Sequence, residues 1–318
     1  MQLPRIVCVV GPTSIGKTAL GIRLAKKFHG EIVNADSRQI YKDFSIGTGK
    51  PEGTRGIYQG HRAFFVSGVP HYLMDFLDPR QTFSVVEWRE KAVEAIRGIV
   101  KRGHLPIVVG GTGLYLSALI NNFDFPKVPP NLTMRKAFEG KPLADLVKIL
   151  LKLDPVAEQV VDLKNPRRVI RALEVSTLTG MPFTRQKSVA RPQFDAFQIG
   201  IRWDRSDLYA RIDVAIDEMI RRGWMDEIKR HLAQGIPEDA PAMSSIGYRE
   251  MLTYIKSVRA IHELPLQKHV ALSVTVDATK RAVHKYAKRQ ETWFKRDIRI
   301  RWAKNESEAV KLVKEWLE

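Results

Sequence analysis

The sequence predicts an α/β fold, a P-loop-containing parallel sheet core with an inserted all-helical domain. A short apolar strand runs directly into a glycine-rich loop that has the spacing of a phosphate-binding loop. Apolar strands then alternate with amphipathic helices, a pattern that favours parallel pairing with right-handed crossovers. A long block without a convincing strand interrupts this alternation, which indicates an insertion.

The elements of the core can be placed by their periodicity. Short β-branched runs bounded by turn residues predict strands, and apolar residues at helical spacing predict helices. Gly30 ends the first helix. In order, we expect a strand at 5–10, a helix at 17–28, strands at 31–35 and 105–109 around a helix at 84–101, then a strand at 197–203 and helices at about 206–222 and 267–295.

The pattern changes near residue 121. Three prolines fall within 124–130, and helical periodicity without a strand follows from about 132 to 188. A helical block between two strands of the core reads as an insertion. We therefore predict a catalytic core formed by 1–122 and 195–318 and an inserted helical domain at 123–194.

The glycine-rich loop fits Gly-x-x-x-x-Gly-Lys-[Ser/Thr] at each position, between a strand and a helix. Its backbone N–H groups and the N-terminus of the following helix present partial positive charge to phosphate oxygens. Lys17 adds a full charge, and the hydroxyl of Thr18 suits Mg²⁺. The ligand is therefore expected to contain a di- or triphosphate. The diphosphate-binding candidates are Gly11, Pro12, Thr13, Ser14, Ile15, Gly16, Lys17 and Thr18.

A phosphate loop alone does not define the reaction. Most phosphate-loop hydrolases and kinases hold their metal with an aspartate at the end of another core strand. Here the strand at 105–109 ends in glycines, and among the core strands only the one at 31–35 runs into an aspartate, Asp36. This disfavours motor, GTPase and general ATPase functions. It leaves small-molecule kinases and transfer reactions in which diphosphate is the leaving group.

Asp36 stands at the edge where parallel sheets bind ligands, beside the phosphate loop. A carboxylate there could accept a proton from an attacking nucleophile. Capping a helix or contributing to the surroundings of a metal are the alternative roles for this residue.

The composition points to a polyanionic partner. The chain has 52 Lys and Arg against 35 Asp and Glu, a net charge of +17, which favours nucleic acid or an anionic membrane, although an ordinary basic enzyme has the same composition. Basic groupings at 164–171 and at 280–296, the second with interleaved aromatics, favour RNA over a solvated helix face. No apolar stretch approaches ~18 residues and no signal-peptide pattern is visible, so we expect a cytoplasmic protein with no membrane partner. The single cysteine, Cys8, excludes an internal disulfide and a thiolate zinc site.

Seven stretches spread over the chain share the pattern of one known family. They are Gly-Pro-Thr-x-x-Gly-Lys-Thr at 11–18, Asp-Ser-Arg-Gln-Ile-Tyr-Lys-Asp at 36–43 continuing to Lys50-Pro51, Val-Pro-His-Tyr-Leu-Met-Asp at 69–75, Val-Gly-Gly-Thr-Gly-Leu-Tyr at 109–115, Arg-Ala-Leu-Glu-Val at 171–175, Ser-Ile-Gly-Tyr-Arg-Glu at 245–250 and Lys-Arg-Gln-x-x-Trp-Phe at 288–294. With them the sequence closely resembles the bacterial tRNA dimethylallyltransferases, also called tRNA isopentenyltransferases. The resemblance covers essentially the whole chain, and the stretch at 36–51 is its most specific part.

The resemblance implies transfer of a dimethylallyl group from dimethylallyl diphosphate to N6 of adenosine 37 in tRNAs that read codons starting with U. It implies tRNA, through its anticodon stem-loop, and dimethylallyl diphosphate as partners, Mg²⁺ at Thr18 as cofactor, and a monomer. Asp36 would take the proton from N6, Thr13 would lie at the reaction centre, and Arg211 would clamp the diphosphate. The implied tRNA-contacting residues are Asp36, Ser37, Arg38, Gln39, Thr112, Arg135, Arg167, Arg168, Met243, Ser244, Ser245, Ile246, Gly247, Tyr248, Lys288, Arg289, Gln290 and Trp293.

The sequence departs from the family pattern at Ser14-Ile15, Phe44-Ser45 and Gly49 without losing a catalytic group, and Ile15 is expected to narrow the pocket. Three other functions stay open at this point: an adenylate isopentenyltransferase that prenylates free AMP, ADP or ATP, a small-molecule kinase, and an RNA-binding protein with a relict phosphate loop. The basic C-terminal helix and the insertion disfavour the first of these, because a free nucleotide needs no such surface.

Overall fold

The chain is divided between two units in the computed structural model, which describes residues 2–124, 128–186, 188–260 and 265–318. The first unit combines Met1–Ile120 with Gln193–Glu318, and the second is Asn121–Pro192. The second unit is therefore one contiguous segment inserted between the two parts of the first. The sequence placed this segment at 123–194.

An eight-stranded sheet is the framework of the first unit. The strands of the described residues are β1 (Arg5–Val10), β2 (Gly30–Asn34), β3 (Thr54–Tyr58), β4 (His61–Val66), β5 (Val69–Tyr72), β6 (Leu105–Gly110), β7 (Phe123–Asp124), β8 (Ser188–Val189), β9 (Asp195–Ile201) and β10 (Arg301–Ala303). In the large sheet their order is β10-β9-β1-β6-β2-β5-β4-β3. The six strands from β10 to β5 run parallel, and β4 and β3 extend the sheet with antiparallel pairing.

This topology confirms the predicted parallel core. The four strands expected from periodicity are present within two residues of their predicted bounds. The strands β3, β4 and β5 were not predicted. They form an antiparallel meander whose outermost strand is largely exposed, so it lacks the continuous apolar run that marks a buried parallel strand.

Helices cover both faces of the sheet and fill the second unit. In chain order the described helices are α1 (Lys17–Lys27), α2 (Val85–Lys101), α3 (Gly113–Ile120), α4 (Leu132–Glu139), α5 (Leu143–Leu153), α6 (Pro166–Thr179), α7 (Arg205–Arg221), α8 (Trp224–Ala233), α9 (Tyr248–Ala260), α10 (Pro265–Lys295) and α11 (Glu306–Leu317). The start of α2 shows how local chemistry sets these bounds. Ser84 and Glu87 form a capping box, in which Ser84 Oγ accepts from Glu87 N at 3.2 Å and Glu87 Oε2 accepts from Ser84 N at 2.8 Å.

Side chains of β1 point alternately to the two faces of the sheet, and the core of this unit therefore has two layers. Val7 and Val9 pack with residues of α1, α7 and α11, whereas Ile6, Cys8 and Val10 pack with residues of α2 and α3. Both sets are buried because helices lie on both faces of a parallel sheet. Cys8 is one of the core residues, as expected, and burial raises the pKa of its thiol to about 12.

The second unit has a small helical core of its own. Leu146 and Leu150 of α5 pack against Val169 and Leu173 of α6, and all four are buried. The unit also contains the short antiparallel pair β7–β8, which the helical periodicity did not reveal. Two strands of two residues each carry too little pattern to be recognised in a sequence.

A buried carboxylate ties the helices of this unit together. Glu174 is fully buried and accepts hydrogen bonds from Asn131 N at 2.6 Å, from Arg135 Nε at 2.9 Å and from Arg135 Nη2 at 2.8 Å. Arg171 pairs with the same carboxylate at 2.5 Å. Burial opposes the charge, but these hydrogen bonds lower the pKa of Glu174 to about 2.

None of the helices in the described part of the chain is long and apolar enough to cross a membrane.

The Glu174 cluster predicts an acid-sensitive second unit. Its contribution to stability is present above pH 4.5 and is lost as the pH falls towards 2. Replacing Glu174 with Gln should lower the free energy of unfolding of this unit by about 3 kcal/mol at pH 7, because two guanidinium groups lose their partner. Amide hydrogen exchange of α4 to α6 in the full chain measures this. The exposed Glu158→Gln serves as control, and equal protection in both variants would contradict the prediction.

Candidate active site

Three loops meet where the strands β1, β2 and β6 end. Val10 pairs with Gly110 and Asn34 pairs with Val109, so the carboxyl ends of these parallel strands lie at one level. A cavity of about 550 Å³ opens at this edge, and its lining belongs entirely to the first unit. The carboxyl edge of a parallel sheet is the usual place for a ligand.

The phosphate loop between β1 and α1 has the backbone shape that its glycines allow. Gly11 and Gly16 have φ angles of 139° and 92°, values that L side chains rarely adopt. The helix α1 begins at Lys17 with Gly16 as N-cap and without a side-chain cap. The first N–H groups of α1 are therefore left for an anion.

Five of the eight predicted diphosphate-binding residues line the cavity: Thr13, Ser14, Gly16, Lys17 and Thr18. Ile15 does not, because its side chain is buried in the core beneath the loop. The expectation that Ile15 narrows the pocket is therefore wrong. Any contact of Ile15 with a phosphate would come from its backbone N–H.

Lys17 is held inside the loop by its own backbone. Its Nζ donates a hydrogen bond to Pro12 O at 2.6 Å. Burial lowers the pKa of Lys17 to about 8, and the charge of Asp36 acts in the opposite direction. The ammonium is thus partly desolvated before a ligand arrives, a condition that strengthens its attraction to an oxyanion.

A magnesium ion would find few protein ligands here. Among the described residues there is no group of three or more His, Cys, Asp or Glu that could hold a metal. Thr18 lines the cavity and carries a hydroxyl, and Mg²⁺ commonly binds through one or two protein oxygens, substrate phosphates and water. The residues present fit a Mg²⁺ that arrives with a diphosphate.

Asp36 follows β2 and lines the same cavity as Lys17. Its Oδ1 accepts hydrogen bonds from Arg38 N at 2.8 Å and Gln39 N at 3.4 Å. These bonds close a turn rather than cap a helix, because no described helix begins between β2 and β3. The helix-capping role that the sequence left open is therefore wrong, and the turn occupies only one oxygen of Asp36. No donor from the described residues bonds Oδ2 of Asp36, so this oxygen can accept a proton from a bound molecule.

Arg211 reaches the phosphate loop from α7. Its Nε donates to Ser14 O at 3.1 Å, and its guanidinium lies 4.3 Å from the centre of the Trp203 ring. Stacking on an indole holds the guanidinium plane in place. The remaining N–H groups of Arg211 are available to an anion in the loop.

The far wall of the cavity is apolar. It is formed by one face of α7 together with a residue of α10: Ile212, Ala215, Ile216, Met219 and Val283. The cavity therefore joins an anion-binding loop to a hydrocarbon-binding wall.

A second loop, 44–49, is held in place by one buried carboxylate. Glu227 of α8 is 2% exposed and accepts hydrogen bonds from Ser45 N at 2.9 Å, Ile46 N at 2.8 Å and Gly47 N at 3.3 Å. Its other strong contact is the hydroxyl of Tyr248, at 2.6 Å. Four donors satisfy the carboxylate, so this part of the cavity wall has a fixed shape.

Trp224 fills the space between two loops of the site. A Cβ atom on Gly47 would lie 1.9 Å from its Nε1, and a Cβ atom on Gly247 would lie 2.1 Å from its Cη2. Both positions must therefore be glycine. The resemblance singled out Gly247 as a tRNA contact, whereas the structure places it against Trp224.

The other predicted contacts in 243–248 divide by exposure. The side chains of Met243 and Tyr248 are fully buried, so direct contact of these side chains with tRNA is ruled out. Ser245 is buried and donates to Ala242 O at 2.8 Å. Ser244 is exposed, and Ser245 and Ile246 border the cavity.

Ser37, Arg38, Gln39 and Thr112 come together at the cavity, as the resemblance implies. Thr112 Oγ1 accepts from Ser37 N at 3.0 Å. Arg38 Nη1 donates to Pro241 O and Ser244 Oγ, both at 3.2 Å. Gln39 Nε2 donates to Gly49 O at 3.1 Å.

The predicted tRNA contacts on α10 include both exposed and buried residues. Lys288 and Arg289 are exposed, and neither pairs with a carboxylate among the described residues. Trp293 is 37% exposed and packs closely on Gly113. Gln290 is buried and its amide already bonds Thr13 N and Gly111 O, which limits it as an RNA contact.

In the second unit, Arg167 and Arg168 lie exposed in the first turn of α6. Arg135 is already paired with Glu174, which limits it as an RNA contact.

The parts of the site that the sequence did not indicate are Glu227, Trp224 and the buried ion pair of Lys50 with Asp75. Lys50 and Asp75 stand within stretches 36–51 and 69–75, so a signal existed for them. Glu227 and Trp224 lie outside every matching stretch.

The chain is similar to known proteins of one family. A family model described as IPP transferase matches residues 39–297, and one described as isopentenyl transferase matches residues 4–69. A protein of Roseiflexus sp. named tRNA dimethylallyltransferase is 39% identical over 295 residues, 92% of this chain and 90% of its own length.

The fold is also similar to solved structures of such transferases. A full-length tRNA isopentenylpyrophosphate transferase from Bacillus halodurans aligns with a TM-score of 0.66 and 33% identity, over 98% of this chain and 95% of its own. A eukaryotic dimethylallyltransferase described as acting on tRNA aligns with a TM-score of 0.74 and 26% identity, over 98% of this chain and 77% of its own.

The lowered pKa of Lys17 predicts how anion binding depends on pH. The ammonium is charged below pH 8 and increasingly neutral above it, so the affinity for inorganic diphosphate should fall as the pH rises from 7 to 9.5. Binding above pH 8 should also take up a proton. Isothermal titration in buffers of different ionisation enthalpy measures both effects. Lys17→Met supplies the baseline for titration of the ligand itself, and an affinity ratio between the two proteins that does not change with pH would refute the prediction.

Proposed function

The chain belongs to the tRNA dimethylallyltransferase (IPP transferase) family, and on that premise we propose that it transfers a dimethylallyl group from dimethylallyl diphosphate to N6 of adenosine 37 in tRNAs that read codons starting with U. The products are N6-isopentenyladenosine in the tRNA and free diphosphate. The observation that carries the proposal is the joint lining of one cavity by the phosphate loop, the apolar wall of α7 and the carboxylate of Asp36. We expect a cytoplasmic monomer.

The donor occupies the cavity in one orientation. Its diphosphate lies on the N–H groups of the phosphate loop, with Lys17 and Arg211 as cations. A Mg²⁺ bound at the hydroxyl of Thr18 would add charge that stabilises the diphosphate. The five-carbon chain lies against Ile212, Ile216 and Met219, where its apolar surface is removed from water.

Charge stabilisation at one end of the donor drives the chemical step. As the bond between C1 and oxygen breaks, its electron pair moves to the diphosphate, where the loop and its cations are already oriented. The electron pair of adenine N6 forms the new bond to C1. The proton released from N6 goes to Oδ2 of Asp36, the oxygen without a donor in the described structure. Thr13 stands beside these groups in the same cavity.

The acceptor base has to leave the anticodon loop to reach this cavity. Ser37, Arg38 and Gln39 line the cavity, and Thr112 and Ser244 bond to two of them, so donors and acceptors for the base lie here. Lys288 and Arg289 of α10 are exposed cations on the same unit, suited to the RNA backbone. Arg167 and Arg168 give the second unit a basic turn of the kind that binds phosphate.

Replacing the proposed base should sharply lower turnover and leave tRNA binding intact. We expect Asp36→Asn to lower kcat by about 10²–10⁴-fold, the usual contribution of a general base, while the Kd for an anticodon stem-loop changes little. Mass spectrometry of nucleosides from the reacted RNA measures the product. Asp78→Asn is the matched control, because Asp78 is also half-buried and its Oδ1 accepts from Arg80 N at 2.8 Å. Turnover of the Asp36 variant at the wild-type rate would remove the assignment.

The same assay decides between acceptors. Prenylation of the stem-loop and not of AMP is the expected result. Activity on AMP alone would contradict a tRNA substrate and favour an adenylate isopentenyltransferase.

The cations of α10 should determine how tRNA binding responds to salt. The double change Lys288→Ala with Arg289→Ala is expected to weaken binding and to reduce the slope of log K against log salt by about 1 for each phosphate that the helix no longer neutralises. Fluorescence anisotropy over a range of salt concentrations measures the slope. Lys26→Ala, an exposed cation at the end of α1, is the control, and an unaltered slope in the double variant would count against this surface.

A further inference from the structure

One side chain of α10 reaches both loops that border the phosphate end of the cavity. Gln290 is 6% exposed. Its Oε1 accepts a hydrogen bond from Thr13 N at 2.9 Å, and its Nε2 donates to Gly111 O at 2.8 Å. Thr13 belongs to the loop after β1 and Gly111 to the loop after β6, so a single amide group bridges the two loops.

The two partners fix the chemistry that this position requires. A backbone N–H on one side needs an acceptor, and a backbone carbonyl on the other needs a donor. A neutral amide provides both in one plane. An apolar side chain of the same size would leave both backbone groups without this partner, and Gly111 O is buried.

The amide of Gln290 also has little free space around it. A Cβ atom on Gly111 would lie 2.4 Å from Gln290 Nε2 and 3.5 Å from Lys17 Nζ. A Cβ atom on Gly113 would lie 2.3 Å from Cδ1 of Trp293. The helix α10 thus packs on this loop through two side chains, each in close contact with a glycine, and the amide of Gln290 lies next to Lys17 of the phosphate loop.

We propose that Gln290 is a positioning residue for the diphosphate site, which holds Thr13 and Gly111 in the arrangement that binds the leaving group. This inference rests on the proposed function, since it takes a diphosphate to be the ligand of the loop. Without the bridge, Thr13 N–H would turn to another acceptor, and the neighbouring N–H groups of the loop would turn with it.

The position of Gln290 gives this role a further consequence. Lys288 and Arg289, the cations proposed to meet RNA, directly precede it on the same helix. The element that contacts the acceptor therefore also shapes the loop that binds the donor.

The test compares two substitutions in the full chain by titration with inorganic diphosphate and Mg²⁺. Gln290→Met keeps the volume and loses both hydrogen bonds, so we expect about tenfold weaker binding, equivalent to about 1.4 kcal/mol. Gln290→Glu should bind diphosphate more weakly than Gln290→Met at pH 8, because its carboxylate repels Gly111 O and the ligand. A protonated carboxyl can accept from Thr13 N and donate to Gly111 O, so its deficit relative to wild type should shrink as the pH falls to 5.

Gln198→Met is the matched control. Gln198 is also buried, at 3% exposure, and its Nε2 donates to Asp297 Oδ2 at 3.1 Å, but it does not line the cavity. It should bind diphosphate as the wild type does, and urea unfolding of both methionine variants compares their stabilities. Equal weakening in Gln198→Met would mean general destabilisation and would overturn the inference.

The remaining outcomes separate the inference from the proposed function. Wild-type diphosphate affinity in Gln290→Met, with weaker binding of an anticodon stem-loop, would make Gln290 an RNA contact and overturn its positioning role. A pH-independent deficit in Gln290→Glu would reduce its role to packing and overturn it as well. If the wild-type protein does not bind diphosphate, the proposed function fails and this inference fails with it.

Discussion

The site depends on one close approach between two backbones. A Cβ atom on Gly110, the last residue of β6, would lie 2.1 Å from Ala35 O, just past β2. Only glycine allows this distance, and with it Ala35 N bonds Val109 O at 2.7 Å and Thr112 N bonds Ala35 O at 3.1 Å. Asp36 is thereby carried to the loop after β6 and towards the phosphate loop after β1. A side chain at position 110 would separate Asp36, the proposed base, from the phosphate loop, whatever the other residues were.

Around this contact, buried charges are used to fix loops rather than to stabilise the core. Glu227 takes three backbone N–H groups of 44–49, and Asp75 pairs with buried Lys50 and with Arg55 at 2.6 Å. Buried ions are costly unless their hydrogen bonds are complete. The carboxylates of Glu227 and Asp75 each accept several hydrogen bonds, and each holds a segment that borders the cavity. The rigidity of the loops is thus provided by polar groups, while the sheet beneath them is held by apolar packing.

The sequence was informative where function depends on local pattern. The phosphate loop, the strand before it and Asp36 could be predicted because motif and strand end lie within a few residues. Strand β3 could not, since Thr54–Tyr58 is an exposed edge with little apolar signal. Glu227 could not be predicted either, because a charged residue on a helix looks like a solvated one until its distant partners are known. Gln290 was expected to contact RNA, and its bonds to Thr13 and Gly111 could not be foreseen for the same reason. Met243 and Tyr248 were expected to contact RNA, but both belong to the core.

The pairing of α7 with α10 explains why these roles fall on the same helices. Arg205 bonds Glu291 at 3.0 Å and Asp217 pairs with Lys280 at 2.7 Å, at opposite ends of the contact. Between them Tyr209 stacks on His284 at 4.2 Å. This antiparallel pair supplies the apolar wall from its inner side, Arg211 from α7 and Gln290 from α10. Because all three are fixed on one helix pair, the apolar wall, the proposed anion clamp at Arg211 and the shape of the phosphate loop are coupled to one another.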